Sequence, residues 1–227
     1  MIWTAAFVLA LLAPDDKEAE DAIATFKSAA KSPEVSVRVE AIRELAKIPH
    51  EKVLRVLGTV LTTDDKVVRV AAAKALGAFQ DKKPKAVSVL AEAIGYNAKE
   101  PDVEIAILSG LRDLREKAAL GIAYRYLDEK NEKVAEAAIG ITEAIKSRDS
   151  VEPLIKLIKH LIGAGDGVSS GDGSFDAPPD ARLQERARLL DSAAQKALRA
   201  ITGESFTSPR EWEGWWKRNG ATFRVKE

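Results

Sequence analysis

The chain lacks cysteine, which excludes disulfides, thiolate metal sites, a cysteine nucleophile and a cysteine-linked lipid anchor. Histidine is nearly absent: His50, in a turn after Pro49, and His160, beside Lys156 and Lys159, are the two. Both read as solvated surface residues with no Asp or Ser partner at a recognisable spacing. An excess of either charge is missing too, since 35 Lys and Arg face 35 Asp and Glu. That balance disfavours a basic nucleic-acid binder, an acidic tail and a charge-driven disordered chain. No phosphate loop, dinucleotide fingerprint, nucleophile elbow or metal-ligand spacing is present. The sequence therefore points to a non-catalytic protein without a cofactor or a bound metal. No alternating strand pattern of useful length appears.

What is present begins with an uncharged N-terminus. Ile2 to Pro14 (IWTAAFVLALLAP) carries no charge, and the next eight residues, DDKEAEDA, carry six. The stretch is shorter than the roughly 20 residues that a membrane-crossing helix needs. It matches the apolar region of a secretory signal peptide, which assigns residues 1–14 to a leader and the remainder to the periplasm or the cell exterior. No Lys or Arg precedes it, and Pro14 follows the best small residue for cleavage, Ala13. The competing reading is a buried terminal helix over residues 2–12 of a cytoplasmic protein.

Internal repeats organise the rest. VRVEAIRELAKI starts at Val37, VRVAAAKALGAF at Val68, VEIAILSGLRDL at Val103, VAEAAIGITEAI at Val134 and LDSAAQKALRAI at Leu190. Four residues into each block come Ala41, Ala72, Ile107, Ala138 and Ala194, and eight in come Leu45, Leu76, Leu111, Thr142 and Leu198. Eleven in come Ile48, Phe79, Leu114, Ile145 and Ile201. Steps of four, four and three keep one helix face apolar. Each block is followed by a second helical pattern: residues 52–61, 84–94, 117–127 and 151–162. Short polar breaks separate them, with prolines at or near helix starts. Stacked helix pairs of this kind bury a continuous core that one pair cannot bury alone, so the fold class is an all-α solenoid of about five repeats over residues 15–202. Residues 15–31 read as an amphipathic cap helix before the first full repeat.

The blocks resemble HEAT repeats of the armadillo-like superfamily. The resemblance implies a ladder of charges in which an acidic turn residue and a Val-Arg pair join adjacent repeats. Glu34 with Val37-Arg38 and Asp65 with Val68-Arg69 match it, whereas Glu104 and Ala135 replace the arginine in the third and fourth blocks. The ladder is thus expected in the first two repeats alone. The segment 203–227 resembles the tryptophan-rich ends of exported bacterial HEAT-repeat proteins. Ser208, Pro209 and Glu211 form a helix-start pattern and Gly220 an end. Trp212, Trp215 and Trp216 are expected to form a structural cap, with Trp212 and Trp216 packed on the preceding helix pair. The alternative is a sugar- or peptide-stacking platform, with Trp215 its exposed ring.

Gly163 to Ala181 (GAGDGVSSGDGSFDAPPDA) is low in complexity and reads as a flexible loop between the helices of the last repeat. Asp166, Asp172 and Asp176 invite a calcium reading. A calcium loop starting at Asp172 would, however, have Ala177 and Leu183 where it needs glycine and glutamate.

The resemblance also implies a concave surface lined by the second helix of each pair. The exposed stripes read off at helical spacing are Lys52, Arg55 and Thr59; Lys85, Ser88 and Glu92; Lys117, Gly121, Tyr124 and Arg125; and Glu152, Lys156 and Lys159. Basic residues outnumber acidic ones there by seven to two. The expected function is a protein-interaction scaffold that holds an acidic or extended protein segment along this stripe. An ordinary solvated face is the competing reading. A nucleic-acid-binding solenoid and a bilin-lyase-like enzyme using His160 or Tyr124 are the functional alternatives.

Overall fold

A computed structural model describes residues 16–165 and 181–225. The leader expected over residues 1–14 lies outside them, as do residues 166–180 of the expected loop with Asp166, Asp172 and Asp176. Among the described residues there are eleven α-helices and no strand. They are α1 (Asp16–Ala29), α2 (Val35–Leu45), α3 (Glu51–Thr63), α4 (Lys66–Gly77), α5 (Lys83–Tyr96), α6 (Pro101–Leu114), α7 (Leu120–Tyr126), α8 (Glu132–Ile145), α9 (Val151–Gly165), α10 (Ala181–Thr202) and α11 (Pro209–Asn219). Helix α9 continues through Gly163, Ala164 and Gly165, and α10 begins at Ala181, so the ends of the expected loop are helical.

Local chemistry sets these boundaries. Asn131 caps α8 by accepting from the backbone N–H groups of Lys133 and Val134, which satisfies donors a helix start leaves open. Ser208 and Glu211 form a reciprocal capping box at α11. Arg115 and Lys146 take the left-handed conformation that ends α6 and α8. The repeat blocks correspond to α2, α4, α6, α8 and α10. In the first two blocks the last apolar position, Ile48 or Phe79, falls just beyond the helix and still packs on the core.

Each block helix pairs with the helix before it, not the one after it. α1 packs on α2, α3 on α4, α5 on α6, α7 on α8 and α9 on α10. The blocks are therefore the second helices of five pairs, and the cap helix expected before the first repeat is the first helix of that repeat. Neighbouring pairs stack in two rows: α1, α3, α5, α7, α9 and α11 form one, and α2, α4, α6, α8 and α10 the other. From α4 onward the second row is much the closer packed. Gly77 and Gly110 let α4 and α6 approach closely: a Cβ on Gly77 would stand 2.6 Å from the Gly110 Cα. We name the α2–α10 row, the closer packed, the inner row and the other the outer row; the stripes on α3, α5, α7 and α9 fall on the outer row.

One contiguous apolar core runs between the rows, from Phe26 and Ile42 to Leu198, Ile201 and Trp212. Burial at the block positions follows the four-four-three spacing: Val68, Ala72 and Leu76 are buried, as are Val103, Ile107, Leu111 and Leu114. Among the described residues no helix is long and apolar enough to cross a membrane.

Candidate interaction surfaces

The charge ladder exists but runs one repeat further than the sequence pairing implies. Arg38, nearly buried, donates to Asp64 Oδ1 at 3.1 Å and to Asp65, both in the turn of the next repeat. It also donates to the carbonyl oxygens of Ser32 at 2.8 Å and Pro33 at 3.2 Å in its own turn. Glu34 makes no rung; its backbone N–H bonds the Ser32 hydroxyl. Arg69 repeats the arrangement with Asn97 Oδ1 at 2.6 Å and Glu100 at 3.7 Å. Asn97 is fully buried and donates to the carbonyls of Leu61 at 3.2 Å and Ala93 at 2.8 Å. Nothing in the sequence marked Asn97, because a polar residue after a helix reads as a turn and its role needs the neighbouring repeat. At the third position Glu104 is buried, and burial followed by the nearby Glu129 pushes its carboxyl upward.

The predicted partner-binding stripe lies on the outer row. Its residues are exposed as expected, except that Lys52 and Tyr124 are half-buried. The structure does not leave it as a bare cationic track. Lys52 pairs with Asp16 at 2.9 Å and Glu20 at 2.5 Å, and Lys85 with Glu51. Lys117 meets Asp149 at 3.4 Å, Lys156 meets Glu152 at 2.8 Å and Lys159 meets Glu213 at 2.7 Å. The Lys52 and Lys85 hydrogen bonds hold the Asp16 and Glu51 carboxyls below the usual range. Five of the seven cations are therefore balanced within the chain, three of them by an adjacent outer-row helix. The Ser88 hydroxyl donates to the Pro84 carbonyl at 3.1 Å. Arg55 and Arg125 have no ion pair among the described residues.

Outer-row splaying opens two polar grooves. Between α3 and α5, a groove of about 380 Å³ brings Arg55, Thr59 and Glu92 together with Gly58, Thr62, Val89, Ala93 and Tyr96. Between α7 and α9, one of about 430 Å³ gathers Tyr124, Arg125, Asp128, Glu129, Lys156 and His160. Both histidines gain carboxylate neighbours that their sequence neighbourhoods did not show. His160 Nδ1 lies 2.7 Å from Asp128, and Arg186 holds the other Asp128 oxygen at 2.9 Å. His50 is half-buried, caps α3 by accepting from the Lys52 N–H, and lies 3.5 Å from Asp16. The Tyr124 hydroxyl is 2.9 Å from the Ser150 hydroxyl, and burial pushes its ionisation upward, so the phenol keeps its proton at neutral pH.

The inner row carries a broader groove of about 610 Å³ across α6, α8 and α10. Its floor is Ile105, Ser109, Ala137, Gly140, Leu189, Ser192 and Ala193, and its rim Arg112, Lys133, Glu136, Glu143 and Lys196. Lys196 bridges Glu143 at 3.0 Å. A further groove of about 590 Å³, largely apolar, lies between α1 and α2 and includes Val37, Ala41 and Ile48, with no other element over it among the described residues. Among the described residues no group of three or more His, Asp or Glu side chains is placed to hold a metal ion.

At the other end of the stack α11 packs on α9. Trp212 is fully buried, and its Nε1–H donates to Gln195 Oε1 at 2.7 Å. Trp216 is half-buried under Arg148, whose guanidinium stands 5.3 Å from the ring and donates to the Gly220 carbonyl at 2.6 Å. Trp215 is equally half-buried, edge-on to Phe223 at 5.5 Å and to Trp212 at 6.3 Å. It is a member of the aromatic cluster and not the exposed ring that the stacking-platform alternative requires.

No curated protein matches the chain. Residues 23–100 match the family model for HEAT repeats, from within α1 to the turn that carries Glu100. That segment, about a third of the chain, contains both arginine rungs. Over it the chain is similar to HEAT repeats, and the whole described stack is an all-α, HEAT-like solenoid.

Proposed function

We propose that the chain is a non-catalytic protein-interaction scaffold whose partner lies as an extended segment along the inner groove over α6, α8 and α10. The observation that carries this reading is the groove itself: small and aliphatic side chains on a floor shared by three rigid helices, inside a rim of mixed charge. Such a floor lets a partner backbone approach closely, and rim charges of both signs select orientation more than they add affinity. HEAT repeats generally serve as protein-interaction scaffolds, which agrees with the match over residues 23–100. A phosphate backbone is a poorer fit, because Glu136 and Glu143 stand among the rim cations. The apolar Ile2–Pro14 stretch supports export of this scaffold. Finding Met1 still present on the protein from its own cells would contradict that part.

The test is crosslinked co-purification of the full chain from its native cells, beside an Ala137→Arg, Ala193→Arg double variant. The scaffold reading expects a reproducible protein partner that the variant loses while its helicity is unchanged. Partner recovery undiminished in the variant, or recovery of nucleic acid alone at about 150 mM salt, would overturn it.

A further inference from the structure

We infer that the outer row carries a second interaction surface, in which Arg55 and Arg125 take carboxylates of an extended acidic protein segment. The argument starts from what the stripe has already spent. Lys52, Lys85, Lys117, Lys156 and Lys159 each reach a carboxylate of this chain within 3.5 Å. Arg55 and Arg125 reach none within 4 Å among the described residues, and each lines a groove between outer helices beside a tyrosine. Tyr96 is 78% exposed, more than any other exposed large apolar side chain among the described residues. Tyr124 is pinned by Ser150 and presents a fixed ring wall beside Arg125.

An arginine with its fork unspent is the side chain suited to bidentate carboxylate capture. Arginine and tyrosine together are the residue types that dominate interface energetics. The grooves also say what the segment is not. Glu92 lines the first, and Asp128 and Glu129 the second. A uniform polyphosphate track would meet these carboxylates, whereas a peptide can set its acids opposite the arginines and apolar or amide groups elsewhere. The two grooves lie in one row, between α3 and α5 and between α7 and α9. This surface is on the opposite side of the stack from the inner groove and does not depend on it.

The test selects 12-residue random peptides displayed on phage against the full-length chain at about 150 mM salt, then measures the enriched peptides by fluorescence anisotropy. Selection is expected to enrich Asp and Glu. Arg55→Gln or Arg125→Gln is expected to weaken the enriched peptide about tenfold. Lys156→Gln, which removes a cation already paired, is expected to change it less than twofold. The Ala137→Arg, Ala193→Arg variant should bind it normally, which separates this surface from the inner groove. Absence of acidic enrichment, or a peptide that binds both arginine variants as it binds the unaltered chain, would overturn the assignment.

Discussion

The two halves of the stack solve the same problem with different chemistry. The N-terminal half is joined by polar rungs, Arg38 to Asp64 and Asp65 and Arg69 to Asn97 and Glu100, and among the described residues its first inner helix keeps one apolar flank open at Val37, Ala41 and Ile48. In the C-terminal half, Glu104, Ala135 and Asp191 occupy the arginine register, a different arginine, Arg186, ties α10 to Asp128 and the Glu129 carbonyl, and α11 closes the end with buried Trp212. The shared block pattern of apolar and small residues is what both halves need; the rungs are optional. A solenoid is a chain of nearest-neighbour interfaces, and each interface is free to find its own polar or apolar solution provided the core face is covered.

That contrast can be broken at the C-terminal end first. Trp212→Ala removes a fully buried ring and orphans the Gln195 carbonyl, so it should lower stability by about 3–5 kcal/mol in urea unfolding followed by circular dichroism. Trp216→Ala, half-buried, should cost about 1–2 kcal/mol. Equal losses would mean the cap is not graded by burial.

The N-terminal rungs come next. Arg38→Ala leaves Asp64 without its partner in a largely buried place and should cost about 2 kcal/mol, whereas Lys52→Ala on the outer row should cost less than about 0.5 kcal/mol. The ordering of these two, measured in the same urea assay, checks whether the rungs or the outer ion pairs hold the first repeats together.

Glu104 gives a smaller, pH-dependent effect. Its folded carboxyl is raised above the ordinary glutamate value of 4.5, so the fold favours the protonated form. Its contribution is complete below that value and is lost as pH rises through the raised folded one. Glu104→Gln should therefore stabilise the chain near pH 8 and make no difference near pH 4, read from urea unfolding at the two pH values. A gain that does not vary across this window would mean that Glu104 titrates alike in the folded and unfolded chain. Smallest of all, Val37→Ser on the open flank of α2 should shift stability by less than about 0.5 kcal/mol. A large loss there would show that the flank is covered after all.

The repeats were legible because steps of four, four and three mark a helix face whatever lies against it. The Ser208–Glu211 box was legible because both partners sit within one turn. The phase of the pairs was not, since periodicity says which face is apolar and nothing about which neighbour covers it. Gly77 and Gly110, which bring α4 and α6 together, are ordinary residues until the two helices cross. The stripe looked cationic for a related reason. The acids that balance Lys52, Lys85, Lys117 and Lys159 come from other elements of the stack, between 32 and 54 residues away in sequence. The inner groove is not legible in the sequence because it is lined by small and aliphatic residues of three separate helices, which carry no chemical signature on their own.

The central claim, that a protein partner lies on the inner face of α6, α8 and α10, is tested most directly by site-specific photocrosslinking in native cells. A photoreactive residue at Ser192, on the groove floor, is compared with one at Lys130, in the turn before α8. The account predicts a defined protein adduct from Ser192 that is absent from Lys130. No adduct at Ser192, or the same adducts at both positions, would contradict it.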